Sequence, residues 1–480
     1  MAKYPAIFVL CLLLVACGKD GGSSAPAANA VSAAAAPTTP PSPPRRPGVP
    51  FTPPVPVKAP KVGLKLDPVT LRKFLLRDDI SVLESLNEVY KAKEEVTLAH
   101  ANLLPSLNIS ALIGGGTFGL SGQITFLLPF LSPSNWYNLD ASKRQLAANG
   151  YAFYLVEVND YASAYSLYLS MLADQEIEEN QQIHYGNIEQ IRKFIQSQVD
   201  QGQANQASLQ QATAQSQLAH LSLLNLQNTI AVERASIRKI LGFPLTRDFY
   251  LDETHLPELA EENSLPEAIL KQTFARSPET RQVDSLLAAA DDGTWSSSFD
   301  FLGGGSGELN LSGGSSPFIG EGSATLGFGI FPRVEIAKIR VRELQLRRQQ
   351  IYLEEAKAIE TTTNALRTAK AQLADAMDAE RNARDAYAFI QTQFAQNKAT
   401  LNDVITASEL VIDASITRIS TRLKVDTQRV NLERILLARE FAAIPNCHLE
   451  RVDPKPFGWF DGIFNPEKNR VSVDELCRRK

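Results

Sequence analysis

Side chains able to do chemistry are present in this chain, but their spacing does not assemble a reactive site. The five histidines, His100, His184, His220, His255 and His448, are scattered with no spacing that pairs them on a metal or beside a nucleophile. Adjacent acids occur at Asp291-Asp292 and Glu354-Glu355. Neighbouring helical residues point to different faces, so each pair reads as a turn or as solvated helix surface. The glycine runs at Gly114 to Gly116 and Gly303 to Gly305 lack the lysine and the following helix that a phosphate loop needs. No catalytic residue, metal site or cofactor is expected. The formal net charge is −5 over 480 residues with no long basic run, which gives no footprint for nucleic acid.

The cysteines are more informative. Lys3 precedes an apolar stretch from Ile7 to Val15, too short for the roughly 20 residues of a spanning helix. That stretch ends in Leu14-Val-Ala-Cys17, which resembles a bacterial lipobox, so residues 1–17 read as a lipoprotein signal ending at a lipidated Cys17. The competing reading is an ordinary cleaved signal. Gly18 follows the cysteine, where an aspartate would resemble an inner-membrane retention signal, so the outer membrane is the expected destination. Residues 18–62 are rich in proline, alanine and glycine and should form an extended tether. Cys447 and Cys477, in a tail at 445–480, are compatible with a disulfide or with two free thiols.

The body of the chain is one unit used twice. FIQSQVDQGQA starts at Phe194, and FIQTQFAQNKA starts 195 residues later at Phe389. Where the first copy has Gly202 the second has Asn397, the two residue types that best adopt a left-handed backbone at a helix end. Each therefore predicts a turn between two helices. Around these turns the order helix, strand, strand, long helix, break, helix occurs twice, in residues 63–245 and 264–444, joined by a linker at 246–263.

In the first copy a helical stretch runs from Asp67 to Asn102, with strands expected from Leu104 and from Gly119 to Phe130. A long helix follows from about Ser134, and a return helix ends at Leu241-Gly-Phe-Pro. In the second copy, strands are expected over Trp295 to Leu311 and Pro317 to Phe331. A long helix opens at Pro332, and a return helix runs to about Ala442. About 14 residues separate Pro278 from Gly293, against about 25 between Ile80 and Leu104, so the short helix of the second copy should be the shorter one.

Spacings of four and three recur along Tyr151, Leu155, Val158, Ala162, Tyr165, Leu169 and Leu172. They recur again through Ala212, Ser216, Ala219, Leu223, Leu226 and Ile230, and in Ile412, Ile416, Ile419 and Leu423. This is a coiled-coil seam. At 1.5 Å per residue, arms of about 65 residues reach roughly 100 Å, more than a globular core needs. The four strands, each about 11 to 15 residues, are long enough to cross a bilayer when tilted. Four strands cannot close a barrel alone, so several chains must pool them.

The duplicated order, with LPSLNIS from Leu104, ARSPE from Ala275, LGFP from Leu241 and the paired turns, resembles the TolC-like outer-membrane efflux protein family. The resemblance covers about residues 67 to 442. It implies a mainly α fold with β: a long α-helical coiled-coil barrel, plus four strands per chain forming a shared 12-stranded outer-membrane β-barrel in a homotrimer. It implies a periplasmic adaptor and an inner-membrane transporter as partners, and outer-membrane lipid around the barrel. It also places adaptor docking at the turns. The matching residues are Gly202, Ala204, Asn205 and Ser208, and Asn397, Ala399, Thr400, Asp403 and Val404. Helix capping by Asn205 and Thr400 would explain several of these without docking. Relatives carry a second aspartate near the tip; here Asp403-Val-Ile is followed by Thr406. Three copies of Asp403 could still form a pore constriction, where crowded charges should raise their pKa values.

The expected function is a passive outer-membrane duct of a tripartite efflux or type I secretion system, lipid-anchored with a large periplasmic extension. The alternative is a non-conducting coiled-coil lipoprotein acting as a spacer or assembly scaffold.

Overall fold

A computed structural model describes residues 63–103, 132–252, 256–299, 330–396 and 398–444. Cys17, the tether, the four expected bilayer strands apart from the segment at Trp295, position 397, and the tail with Cys447 and Cys477 lie outside the described residues.

The chain opens with β1 (Leu64–Leu66), then α1 (Pro68–Asp78) and α2 (Ile80–Ala101). Local sequence sets these boundaries. Asp67 accepts from the Thr70 amide at 2.7 Å and Pro68 takes the first helical position, where its missing N–H costs nothing. Asp79 then ends α1 with an extended backbone and caps α2 by accepting from the Ser81 amide at 2.7 Å. The helix expected from Asp67 to Asn102 is thus two helices with a capped break.

The long arm α3 (Pro133–Asp200) spans 68 residues and returns as α4 (Gln206–Ile240). Gly242, at φ +61°, closes α4: a Cβ there would meet the Asp78 carbonyl oxygen at 3.2 Å. After β2 (Phe249–Leu251) come α5 (Pro266–Thr273), α6 (Pro278–Phe299), α7 (Ile330–Ala395) and α8 (Leu401–Leu436). Two short 3-10 turns, Ala260–Asn263 and Phe441–Ala443, flank this second half.

Three expectations are corrected here. The segment from Trp295 is helical as far as Phe299, so α6 has 22 residues, as α2 has, and the two copies match in length. Gly293 is carried inside α6 because packing outweighs its roughly 1 kcal/mol propensity cost: Trp295 and Phe299 stack on Tyr137 of α3, and Ser296 donates to Asn138 Oδ1 at 2.7 Å. The second long helix starts at Ile330, two residues before Pro332. The last return helix stops at Leu436, where Leu437 adopts φ +49°, short of the expected Ala442.

The arms pack in a fixed order. α4 lies on α3, α3 on α8, and α8 on α7; further along, α2 lies on α3, α3 on α6, and α6 on α7. Val158, Ala162, Tyr165 and Leu169 of the first seam are buried, as are Ala212, Ser216, Ala219, Leu223 and Ile230 of the return arm. Each hairpin carries a polar clip within its seam. Ser216 donates to Glu189, which also holds Arg192 at 2.9 Å; Ser415 donates to Glu380 at 2.8 Å, which also holds Arg418.

The linker is more than a connection. β2 pairs in parallel with β1, so the start of the first copy and the junction of the two form one small sheet. Beneath it lies the largest core cluster, with Tyr161, Tyr168, Phe249 and Phe441. The Tyr168 hydroxyl donates toward the carbonyls of Leu66, at 3.3 Å, and Asp252, which lie on the two strands' chains. Tyr168→Phe should lose about 1 kcal/mol, the net value of a hydrogen bond. Tyr168→Ala should lose about 3–5 kcal/mol through the cavity left behind. Denaturant midpoints of the purified variants measure both, and equal losses would mean the ring contributes nothing beyond its hydroxyl.

Candidate functional site at the helical tips

The two interhelical turns share their hydrogen bonding at the equivalent positions described in both. At the first, Gly202 sits at φ +69° with open space around it. Its amide donates to Val199 O at 2.9 Å, and the Gln203 amide donates to Gln198 O at 2.7 Å. These two bonds define a left-handed helix stop that satisfies the last carbonyls of α3. At the second turn the Lys398 amide donates to Gln393 O at 2.8 Å, the counterpart of the Gln203 bond shifted by 195 residues.

The following helices are capped at equivalent positions. Asn205 Oδ1 accepts from the Ser208 amide at 2.8 Å and from its hydroxyl at 2.9 Å. Thr400 Oγ1 accepts from the Asp403 amide at 3.2 Å, while Asp403 Oδ2 accepts from the Thr400 amide at 2.8 Å. This is a reciprocal capping box. The two bonds from Thr400, backbone first and then hydroxyl, hold the Asp403 carboxyl below its ordinary range. Within one chain Asp403 is therefore anionic and its pKa is lowered, the opposite of the crowding effect expected for a ring of three.

A depressed carboxylate contributes stability that is present above its unfolded pKa and lost as pH falls through its folded pKa. Thr400→Ala should cost about 1 kcal/mol of local helix stability. Hydrogen exchange of the 401–408 amides, corrected for intrinsic rates, should rise in this variant, and should rise in the wild type on acidification. Unchanged exchange in Thr400→Ala would show that the cap does not hold the tip.

Behind the turns lies a small core that the sequence reading did not single out. Ile188, Ile191, Ile195, Leu209, Phe394 and Val404 are buried together, with Phe194 edge-on to Phe394 at 5.7 Å. Its signal was visible as apolar residues at helical spacing from Ile188 to Ile195. The cluster sorts the candidate residues. Gly202, Asn205, Thr400 and Asp403 are exposed; Ala204, Ser208 and Ala399 are half-buried. Val404 is fully buried, so it packs the tip and offers no surface. One turn further along, His184 Nδ1 lies 3.0 Å from Ser408 Oγ, tying α3 to α8. Burial lowers the His184 pKa, opposed by Asp413.

The acid pairs also resolve. Glu355 is not solvated surface: it accepts from Ser277 at the start of α6, and burial raises its pKa. The first copy has the same device, with Asp160 accepting from Ser81 at the start of α2. Asp292 pairs with Arg144 of α3 at 2.6 Å. The Asp160 and Glu355 bonds are brackets between helices, repeated with the fold. Among the described residues no cluster of histidine, cysteine and acidic side chains could hold a metal ion.

Residues 75–243 match the family described as outer membrane efflux protein. The matched residues cover most of the first copy, 63–245. The efflux-protein fold continues through the second repeat, as solved structures show at low sequence identity. The Campylobacter jejuni CmeC outer membrane channel is 15% identical, with 78% of this chain and 88% of that one covered and a TM-score of 0.62. The Vibrio cholerae outer membrane protein VceC is 13% identical, covering 76% and 95%, with a TM-score of 0.60. The open state of the Neisseria gonorrhoeae MtrE outer membrane channel is 13% identical, covering 77% and 88%, with a TM-score of 0.59. The search of curated protein sequences found no match.

Proposed function

We propose that this protein is a passive outer-membrane duct, assembled as a homotrimer and loaded by a periplasmic adaptor and an inner-membrane transporter. The family match and the channel folds support the duct. One observation carries the assembly: both flanking arms are apolar on two opposite faces.

The buried seam of α4 runs through Ala212, Ala219, Leu223 and Ile230, yet Leu218, Leu221 and Val232 are exposed on the other side. On α7 the buried residues include Ile351, Leu366 and Ala369, and Ile339, Leu346, Leu353 and Phe389 are exposed roughly opposite them at 100° per residue. Because the arms pack in the order α4, α3, α8, α7, these two stripes lie on the first and last arms of the row. A second copy would set its α4 against α7 of the first, and repetition closes a ring. Three chains would also pool twelve strands. Lipidation at Cys17 would anchor the assembly by its tether.

Adaptor docking is assigned to the tip residues Gly202, Ala204, Asn205 and Ser208, and Asn397, Ala399, Thr400 and Asp403. Gly202→Pro with Asn397→Pro should abolish capture of the periplasmic adaptor, because proline cannot take the positive φ of Gly202. Unchanged capture would remove docking from the tips. The duct itself is tested in planar bilayers: purified trimer should give stepwise ion conductance. A trimer without conductance would favour the spacer reading.

A further inference from the structure

A cleft of about 500 Å³ is lined by the end of α8, the start of α6, and the stretches of α3 and α7 that face them. Its wall is mostly apolar, with Val158 of α3, Val283 and Leu286 of α6, Ile351 of α7, and Ile435 and Leu437 at the end of α8. That size and lining suit a small organic molecule. All of these walls belong to one chain, so the cleft is complete without a second copy.

The backbone at this place is strained. Leu437 and Arg439 hold φ of +49° and +51°. The first copy makes the same step 195 residues earlier with Gly242, at φ +61°. The next amide shows the equivalence: Phe243 donates to Arg238 O and Ala438 to Glu433 O, each at 2.9 Å. A left-handed backbone is costly for leucine, and glycine would remove the cost. Non-glycine residues held in that region gather at ligand clamps and other functional sites. Here the side chain kept at that cost lines the cleft, and Ala438 stands beside it where the first copy has Phe243.

One carboxyl in the lining is left half-satisfied. Glu355 Oε1 accepts from Ser277. The Thr280 hydroxyl lies near enough to lower the Glu355 pKa, yet both Thr280 Oγ1 and Glu355 Oε2 are buried without a hydrogen-bond partner. Burial, with the charge of Glu279 added to it, outweighs these bonds and holds the carboxyl above its ordinary range. The two guanidiniums in the lining are engaged elsewhere: Arg434 with Glu279 at 3.3 Å and Asn159 at 2.7 Å, and Arg347 with Gln350 at 3.0 Å. Glu355 Oε2 is therefore an open acceptor at an apolar wall. We propose that this cleft binds a small hydrophobic amine, with its ammonium on Glu355 Oε2 and its apolar body against Val158, Val283, Leu286 and Ile351. The charge-assisted hydrogen bond orients the molecule, and apolar contact supplies the rest of the affinity. Water alone would satisfy Oε2 but leave the apolar wall wet.

The test is equilibrium dialysis of full-length protein in nonionic detergent against naphthylmethylamine, with a protein-free micelle blank. Wild type should take up one amine per chain above the blank. Naphthylmethanol, the same body without the charge, should bind about tenfold more weakly. Glu355→Gln should bring the amine down to the level of the alcohol and leave the alcohol unchanged. Leu286→Trp, at a half-buried position on the cleft wall, should lose both. Circular dichroism checks that each variant keeps its helices. If Glu355→Gln does not fold, amine against alcohol in the wild type still decides the role of charge, and Leu286→Trp decides the place. No uptake above the blank would overturn the site, as would uptake that Leu286→Trp leaves intact. An amine no tighter than the alcohol, or naphthoate tighter than either, would overturn the assignment to Glu355.

Discussion

Replacing Leu346 and Leu353 together by glutamate is expected to turn the proposed trimer into monomers. Both residues are exposed in the single chain, at 60% and 65%, so each chain should keep its fold and helix content. In a closed ring the same stripe lies against the α4 flank of the next copy, with Leu218, Leu221 and Val232. Two carboxylates per contact, with no partner on an apolar surface, cost several kcal/mol each if they remain ionised. Light scattering of detergent-purified protein gives the mass, and circular dichroism checks the helices. Gln345→Glu, on the same helix but off the stripe, should leave the trimer whole. A double variant that stays trimeric would place ring closure on other faces.

Arg429→Met should destabilise the chain by about 3 kcal/mol, the loss expected when one partner of a buried ion pair is removed. The guanidinium sits between Glu262, at 2.9 Å, and the Leu256 carbonyl, at 3.0 Å. It thereby fastens the linker to α8. Glu262 is nearly fully covered and also accepts from Lys370 at 2.5 Å and from the Leu259 amide at 2.8 Å. Burial alone would raise its pKa; the lysine, the amide and the arginine together bring it below the ordinary range. Its contribution is therefore present above the unfolded carboxyl pKa and lost as pH falls through the lower folded value. Denaturant midpoints at neutral pH should drop in Arg429→Met, and the gap to wild type should narrow on acidification. A constant gap across that range would mean Arg429 acts through packing of its stem alone.

How much of this was legible depends on the range of the interaction involved. The turn at Gly202, the caps at Asn205 and Thr400, and the seams were legible because each is a local rule: a backbone angle, a hydrogen bond three residues away, a period of 3.5. The duplication was legible because self-similarity needs no geometry. The helical stretch at Trp295 was not, since glycine and serine there suggest strand, and only stacking on Tyr137 from a distant helix decides the matter.

Sequence by itself determined that two long hairpins exist, where they turn, and that they are copies. Tertiary structure alone decided the rest. It put Val404 inside the tip, where the matching motif had suggested a contact surface. It made Glu355 and Asp160 brackets, because a serine many residues away in each copy reaches the half-buried carboxylate. It paired β1 with β2 across the linker, a bond between segments some 180 residues apart with no shared pattern. It also showed that α4 and α7 are apolar on faces their own chain leaves open. Periodicity identifies an apolar face, but only packing shows which faces the chain itself covers.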